Sequence, residues 1–199
     1  MTKQRKTRGV TRNLNFLPRS FLRHSPFGIR HCLLPLLLGV ALVLGCRAKP
    51  QSPAERTAAA HALFDQATKE FHTPSAEAQG TERQRLLDEA ARSYERLLGE
   101  FPEQRDLGVQ ALRGLGGIRA SQGNTNEAVR LYTAVGEKYP ERDWEVLQAW
   151  KAAADLLWEA QRPEEAKKFY AQIVARFDKQ ETPQIYQTVV RGSKARLTQ

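Results

Sequence analysis

A set of four residue types that recurs at a fixed spacing constrains the fold of this 199-residue chain more than any other feature. The set is an alanine, a tyrosine, an aliphatic residue and an aromatic residue, and it begins at Ala90, Ala128 and Ala166, a period of 38 residues both times. Within each copy the four residues fall at positions i, i+4, i+7 and i+11, which is one face of an α-helix. Pro102 and Pro140 follow the first two copies, and because proline cannot continue a helix, the chain must turn there.

The segment before each copy repeats at the same offset. Residues 110–118 correspond to residues 148–156, and both stretches place small and apolar residues on one helical face. Gly123 and the asparagines after it supply a turn in one unit, and Arg162 and Pro163 supply the turn in the next. Pro163 suits the first turn of a helix, where its missing N–H is no loss. Each unit is therefore predicted to be a helix, a turn and a second helix.

These units resemble the tetratricopeptide repeat. The residues that carry the resemblance are Leu112, Leu115, Gly116, Ala128, Tyr132 and Pro140 in one copy, and Trp150, Ala154, Ala166 and Tyr170 in the next. The first copy departs from the pattern, because its expected partner helix falls on a stretch that contains proline and glycine. Residues 54–72 are expected to form that partner helix instead.

The end of the chain has the features of a terminal cap. Thr182 and Pro183 are interpreted as the N-cap and the first residue of a final helix, which would cover the last hairpin. Repeat arrays need such caps because a terminal repeat otherwise exposes apolar surface. The predicted fold is all-α: a short α-solenoid of about three helix–turn–helix hairpins over residues 54–199, with a C-terminal capping helix.

The first 45 residues have the composition of an export signal. They contain eight lysines and arginines and no acidic residue, and they end in a 14-residue apolar run from position 32 to position 45. That run is too short to span a bilayer, which takes about 20 residues, but it suits the apolar core of a signal peptide. Two other interpretations are that Cys46 simply ends a membrane anchor, or that the arginine-rich start is a mitochondrial transit peptide.

The end of the apolar run resembles the lipobox of bacterial lipoproteins. Val43, Gly45 and Cys46 match the pattern, and Leu44 is bulkier than the residue usual at its position. The resemblance implies that residues 1–45 are removed, that the Cys46 sulfur carries a covalent lipid, and that residues 46–53 form a tether. Arg47, where an aspartate would mark inner-membrane retention, implies an anchor in the outer membrane that faces the periplasm.

The charge distribution argues against a nucleic-acid partner. The net charge is +9, and removing the eight basic residues of positions 1–45 leaves 9 − 8 = +1 for residues 46–199. A nucleic-acid-binding domain would carry its basic patch on the folded part. Cleavage before Cys46 would also leave a single cysteine, because Cys32 lies in the leader, so the folded part would have no internal disulfide.

The residue pattern offers no catalytic constellation. His61 and His72 lie eleven residues apart in one predicted helix, so they cannot share a metal, and both are interpreted as surface or boundary residues. Gly114, Gly116 and Gly117 fall inside a predicted helix rather than in a phosphate-binding loop. The chain is therefore predicted not to be an enzyme. It is predicted to need no metal, no small-molecule substrate and no cofactor other than the covalent lipid on Cys46.

Binding of a protein is the predicted function. In tetratricopeptide arrays the first helices of successive hairpins line a groove that holds a peptide, so the resemblance implies partner-binding residues at six positions here. These are Gln110, Arg113, Gly117, Gln148, Lys151 and Asp155. Arg113 and Lys151 lie one period apart and could bind an acidic segment of a partner, and the glutamines could bond to its backbone.

Two functions remain open at this point. The aromatic–proline endings are most similar to those of the lipid-anchored barrel-assembly and Tol–Pal-associated periplasmic tetratricopeptide proteins, which implies a scaffold that binds a partner in the cell envelope. The alternative is a passive structural lipoprotein that bridges envelope layers without using a groove.

Overall fold

The structure is a computed structural model that describes residues 52–199, so the predicted leader, Cys32, Cys46 and most of the tether lie outside the described residues. Seven α-helices run through the described part: α1 (Pro53–Asp65), α2 (Gly80–Glu100), α3 (Arg105–Ser121), α4 (Thr125–Lys138), α5 (Asp143–Glu159), α6 (Pro163–Phe177) and α7 (Gln184–Leu197). A π-helix (Gln66–His72) extends α1, and a short 3-10 helix (Pro74–Ala76) follows it.

The helices form hairpins that pack in chain order. In residues 52–199, α1 with its π-helix pairs with α2, α3 pairs with α4, and α5 pairs with α6, while α7 packs on α6. The first helices of adjacent hairpins also touch, α1 against α3, α3 against α5, and α5 against α7. The result is an inner layer of α1, α3, α5 and α7 and an outer layer of α2, α4 and α6. This confirms the predicted short α-solenoid of about three hairpins with a capping helix.

The repeated alanine and tyrosine positions form the seam between the layers. Ala90, Ala128 and Ala166 are fully buried. The tyrosine four residues later in each copy is at most 8% exposed. The alanines have the smallest side chain that still favours a helix, so the paired helices can approach closely there. The amphipathic period in the sequence therefore predicted the buried face correctly.

Close approach also explains two glycines in the middle of α3. A Cβ on Gly116 would lie 2.5 Å from Cε1 of Tyr132, and one on Gly114 would lie 2.8 Å from Cε2 of Tyr94. Both rings belong to the outer layer, one from α4 and one from α2, and they lie directly on the α3 backbone. Glycine costs about 1 kcal/mol relative to alanine inside a helix, and here that cost allows two aromatic rings to pack.

The predicted substitute for the first helix is confirmed. Residues 53–72 are helical throughout, and the helix begins one residue earlier than the predicted start. Ser52 caps it, because its hydroxyl accepts from the backbone N–H of Glu55 while the Glu55 carboxylate accepts from the backbone N–H of Ser52. Pro53 occupies the first turn, where no intrahelical donor is lost.

The turns within two hairpins agree with the prediction from sequence, whereas the start of the last helix does not. Gly123 has φ +76°, and one period later Gln161 has φ +59°, so both hairpins use a left-handed residue at the same place. Pro163 begins α6 as predicted. The prediction for the last helix was wrong by one residue: Pro183 is the N-cap and Gln184 begins α7. Thr182 does not cap this helix, because its hydroxyl donates to the carbonyl of Phe177 at 2.6 Å.

Two arginines fasten the start of an inner helix to the end of its outer partner. Arg105 of α3 donates to the carbonyl of Lys138 and to the carboxylate of Glu141, and its guanidinium lies 5.0 Å from the ring centre of Tyr139. Arg56 of α1 repeats this arrangement on Glu100, Glu103 and Phe101. Carbonyls at a helix C-terminus lack intrahelical donors, so a guanidinium there satisfies them.

Helix α7 covers the last hairpin. Tyr186 stacks on Trp144 of α5 with ring centres 5.4 Å apart, and it meets the edge of Phe177 of α6 at 5.8 Å. Val190 of the same helix is buried. Ile185 is the large apolar side chain that is exposed in the described part of the chain. Over residues 52–199, each helix is too short or too polar to cross a membrane.

Candidate functional site

The inner layer contains a concavity of about 360 Å³ between the π-helix, α3 and α5. Four of the six predicted partner-binding residues line it: Gln110, Arg113, Gly117 and Gln148. We call it the first concavity; its remaining lining residues are Phe64, Thr68, His72, Tyr94, Gly114, Tyr132 and Ala152. Because α3 and α5 belong to successive hairpins, two residues one period apart, Gln110 and Gln148, line the same concavity.

A hydrogen-bonded group from the first hairpin forms one side of this concavity. The Tyr94 hydroxyl lies 2.9 Å from Oγ1 of Thr68 and 3.3 Å from Nδ1 of His72. Burial raises the pKa of Tyr94 against an opposing effect of the Thr68 bond, and burial lowers the pKa of His72. Tyr94 is therefore a neutral hydroxyl, and the unliganded site favours the neutral imidazole of His72.

Arg113 is the charged group of the first concavity. It is half-buried, and it forms no ion pair or hydrogen bond with any residue from 52 to 199. Its charge opposes the rise that burial causes in the pKa of Tyr132, which lines the same concavity. None of the described residues that line it carries a carboxylate. Chemically, this surface offers one unneutralised guanidinium, two amides and an aromatic floor.

The other two predicted residues line a second concavity of about 350 Å³ between α5 and α7. There Lys151 forms an ion pair with Asp155 four residues later in the same helix. Asp155 also accepts a hydrogen bond from the Tyr170 hydroxyl at 2.9 Å. Burial and this bond to Asp155 raise the pKa of Tyr170 to about 12.

Arg113 and Lys151 were predicted to act as a pair of cations, but the two concavities that they line differ in charge. Arg113 and Lys151 both lie on the inner layer, as predicted, but Arg113 lines the first concavity and Lys151 the second. Lys151 is neutralised within its own helix, whereas Arg113 is not. The two cations therefore line different concavities, and Lys151 already has a carboxylate partner.

The second concavity also holds Trp158 of α5. Trp158 is partly buried, and its ring meets Tyr170 edge-on with centres 6.3 Å apart. The guanidinium of Arg196 from α7 lies 4.6 Å from the ring centre. The capping helix thus places a cation over the tryptophan ring.

Sequence reasoning missed His72 and Thr68 as site residues. Both lie in the first hairpin, whose inner helix was expected to depart from the repeat, although His72 lies one period before Gln110. Their helix also changes to π-geometry at Gln66, which rotates the residues after it relative to an α-helix. The 38-residue offset from Gln110 points to His72, whereas Thr68 lies one period before Asp106, which was not a predicted site residue.

Among residues 52–199, no three His, Cys, Asp or Glu side chains come together in a way that would hold a metal ion. His61 and His72 lie on one helical segment, as predicted, and they differ in exposure, since His61 is exposed and His72 half-buried.

Comparison with known proteins agrees with this architecture. Residues 110–142, which include most of α3 and all of α4, match the sequence model of the tetratricopeptide repeat family. Together with the stacked helical hairpins, this match supports a tetratricopeptide-repeat protein. Domains of this kind generally bind protein or peptide partners and typically act as non-catalytic scaffolds. No curated protein matches the chain.

Proposed function

We propose that this tetratricopeptide-repeat domain is an interaction scaffold, held in the cell envelope by a lipid on Cys46, which binds a segment of a partner protein in its inner layer. The proposed location is the outer membrane, with the domain facing the periplasm. The proposed contact is centred on Gln110, Arg113, Gly117 and Gln148, and it extends toward Lys151 and Asp155.

One observation carries the binding part of this proposal: polar groups in the first concavity lack partners in the described chain. Arg113 forms no ion pair, and the Gln148 amide forms no hydrogen bond to a residue from 52 to 199. Neither side chain has a fully buried polar atom without a partner, so the polar atoms of both still reach solvent and can bond to a ligand. A cation and an amide that line one concavity and lack partners in the described chain can hold a polar segment of another protein, and this supports binding over the passive bridge.

A plug in the first concavity tests the binding function. Gly117 lines it, and a Cβ there would meet only the Tyr132 hydroxyl at 3.7 Å, so Gly117→Gln fills the space without displacing the core. The matched control is Gly99→Gln on the outer helix α2, where a Cβ would meet nothing within 4 Å. We expect Gly117→Gln to lose a partner that the parent captures from detergent-solubilised envelopes, and Gly99→Gln to retain it. Capture by Gly117→Gln equal to that by Gly99→Gln would show that the first concavity is not the contact, and no specific capture by the parent would favour the passive bridge.

The anchor rests on the sequence Val43–Leu44–Gly45–Cys46. Several acyl chains on one cysteine would give stable anchoring, because each buried CH2 contributes about 0.8 kcal/mol. Mass spectrometry of the native protein should show a chain that begins at an acylated Cys46.

The second cysteine provides the control for the anchor. Cys46→Ser should abolish acylation and membrane association, whereas Cys32→Ser, inside the apolar run, should preserve both. An unmodified chain that begins at Met1, or normal membrane association of Cys46→Ser, would refute the lipid anchor while leaving the groove untouched.

A further inference from the structure

We propose that the second concavity is a binding site for an arginine side chain of another protein, and that Arg196 of this chain occupies the site until that arginine displaces it. This inference rests on the proposed scaffold function and assigns the ligand chemistry of the inner layer between α5 and α7. The site consists of the Trp158 ring and the Glu159 carboxylate, with Tyr170 at the edge of the ring. Residues 1–45 also contain arginines, but under the proposed function they are removed, so the occupant belongs to another protein.

The first step concerns the face of the Trp158 ring. The guanidinium of Arg196 lies 4.6 Å from the ring centre, within the range of a cation–π interaction. A planar guanidinium can stack on an aromatic ring and still present N–H groups at its edge to a carboxylate. The exposed side of the ring therefore fits the head group of an arginine.

The second step concerns how weakly Arg196 is held. Arg56, Arg105 and Arg176 also lie over aromatic rings. Each of these three arginines also donates to a main-chain carbonyl and to a carboxylate, so it is fixed in place. Arg196 forms no ion pair within residues 52–199, and its hydrogen bond there is to the side-chain oxygen of Gln199. Arg196 also lies in the last turn of α7, where helices fray, so a competing guanidinium can replace it.

The third step concerns the carboxylates around the ring. Asp155 is already paired with Lys151, and it accepts a hydrogen bond from the Tyr170 hydroxyl. Glu159 lines the same concavity, is exposed, and forms no ion pair or hydrogen bond with a residue from 52 to 199. Arg196 thus covers the ring but leaves this carboxylate available. An arginine that enters from outside can contact the ring face and bind the carboxylate through charge-assisted hydrogen bonds.

The charges of Glu159 and Arg196 act on the same part of the concavity. Burial and the bond to Asp155 raise the pKa of Tyr170 to about 12, and the charge of Glu159 adds to this rise whereas that of Arg196 opposes it. Both charges are therefore close to the Tyr170 hydroxyl. The Tyr170 ring in turn meets Trp158 edge-on, with ring centres 6.3 Å apart. The ring face and the available carboxylate thus lie on one side of the concavity, where a single arginine side chain can contact both.

The test observes Trp158 directly in the protein as the cell produces it, purified in detergent. Tryptophan is replaced by a fluorinated tryptophan, and the fluorine NMR signals of Trp144, Trp150 and Trp158 are assigned by exchanging each residue singly for phenylalanine. The probe is a blocked Gly-Arg-Gly tripeptide. The control peptide contains citrulline, which has nearly the shape of arginine but no charge.

We expect the arginine peptide to shift the Trp158 signal in a saturable way, and the citrulline peptide to leave it unchanged. Arg196→Gln should tighten binding of the arginine peptide about two- to fivefold, because removal of the resident cation leaves a larger fraction of the site free. Glu159→Gln should weaken binding, because it removes the carboxylate that the peptide contacts.

The chain offers two controls in the same helix. Arg191→Gln removes an exposed cation of α7 that is not among the described residues lining the concavity. It should leave the affinity unchanged, which separates the loss of Arg196 from a general change of charge. Trp144 stacks on Tyr186 of α7, so an unshifted Trp144 signal shows that the capping helix stays in place in each variant.

Failure of this site and failure of the proposed function can be told apart. The arginine site is overturned if Trp158 shows no saturable shift, if the citrulline peptide shifts it equally, or if Arg196→Gln binds no more tightly than Arg191→Gln. Each of these results would stand even where Gly117→Gln still blocks capture of a partner. If the parent captures no protein specifically but the arginine peptide binds at Trp158 as described, the site exists and the proposed scaffold function is wrong.

Discussion

Exchange of two adjacent glycines in α3 for alanine should have opposite effects on the free energy of unfolding. At Gly116 the new Cβ would lie 2.5, 2.8 and 3.0 Å from three ring atoms of Tyr132. These atoms belong to a rigid ring that is only 8% exposed, so it can yield only by shifting α4 against α3. At Gly117 the nearest atom would be the Tyr132 hydroxyl at 3.7 Å, an ordinary contact.

The expected magnitudes follow from two opposing effects. Alanine favours a helix over glycine by about 1 kcal/mol, and this gain is common to both positions. Overpacking of a tight core costs about 1–3 kcal/mol, and it applies at Gly116 alone. We therefore expect Gly116→Ala to lower the free energy of unfolding by about 0–2 kcal/mol and Gly117→Ala to raise it by up to about 1 kcal/mol.

Urea denaturation of residues 52–199, followed by far-ultraviolet circular dichroism, measures both variants against the parent. The dependence of the free energy on urea should stay constant, which would show that the change lies in the native state. If Gly116→Ala proves as stable as Gly117→Ala, the close approach of α3 to the Tyr132 ring does not exist in solution, and the assignment of the small residues in α3 to helix pairing is wrong.

Three other predictions concern the same domain. Tyr132→Ala removes a buried aromatic side chain and should lower the free energy of unfolding by about 3–5 kcal/mol in the same urea experiment; no change would contradict the array. Gln161→Gly relieves a left-handed φ and should raise that free energy by about 0.5–1 kcal/mol, whereas Gly123→Ala one period earlier should lower it. Thermal melting measures both variants, and a shift of the melting temperature in the same direction for both would contradict the turn geometry. The pKa of Tyr170 is raised to about 12, so the folded state keeps a proton that the unfolded state releases near pH 10, and the free energy of unfolding should fall as the pH rises between these values. Tyr170→Phe should remove this part of the alkaline loss of stability. An unchanged dependence of stability on pH would argue against the bond to Asp155.

The repeat made most of the fold predictable from sequence. Ala128 and Tyr132 lie four residues apart on one face of α4, and both are buried. Close packing of two helices requires a small residue beside a large one, so this spacing predicts the buried face. Pro163 begins its helix for a purely local reason. The start of the last helix was missed by one residue because Thr182 bonds to the Phe177 carbonyl, a contact that local pattern does not reveal.

The candidate site was predictable only where it follows the repeat. Gln110 and Gln148 share a concavity because one period along the chain is one step across the inner layer. Lys151 differs from Arg113 because it forms an ion pair with Asp155, four residues later in its own helix. That spacing favours an ion pair within the helix over an outside ligand. His72 lies one period before Gln110, and it was missed because the first inner helix was treated as a departure from the repeat.

The most direct test of the central claim, that the inner layer of this domain contacts a partner protein, is site-specific photo-crosslinking in the native cell envelope. A photoreactive residue is placed singly at Gln110 and Gln148 in the first concavity, and at the exposed positions Arg92, Arg130 and Gln172 on the outer helices. We predict that the two inner positions crosslink to the same protein and that the three outer positions do not. Adducts of equal yield from both layers, or from the outer layer alone, would contradict the account.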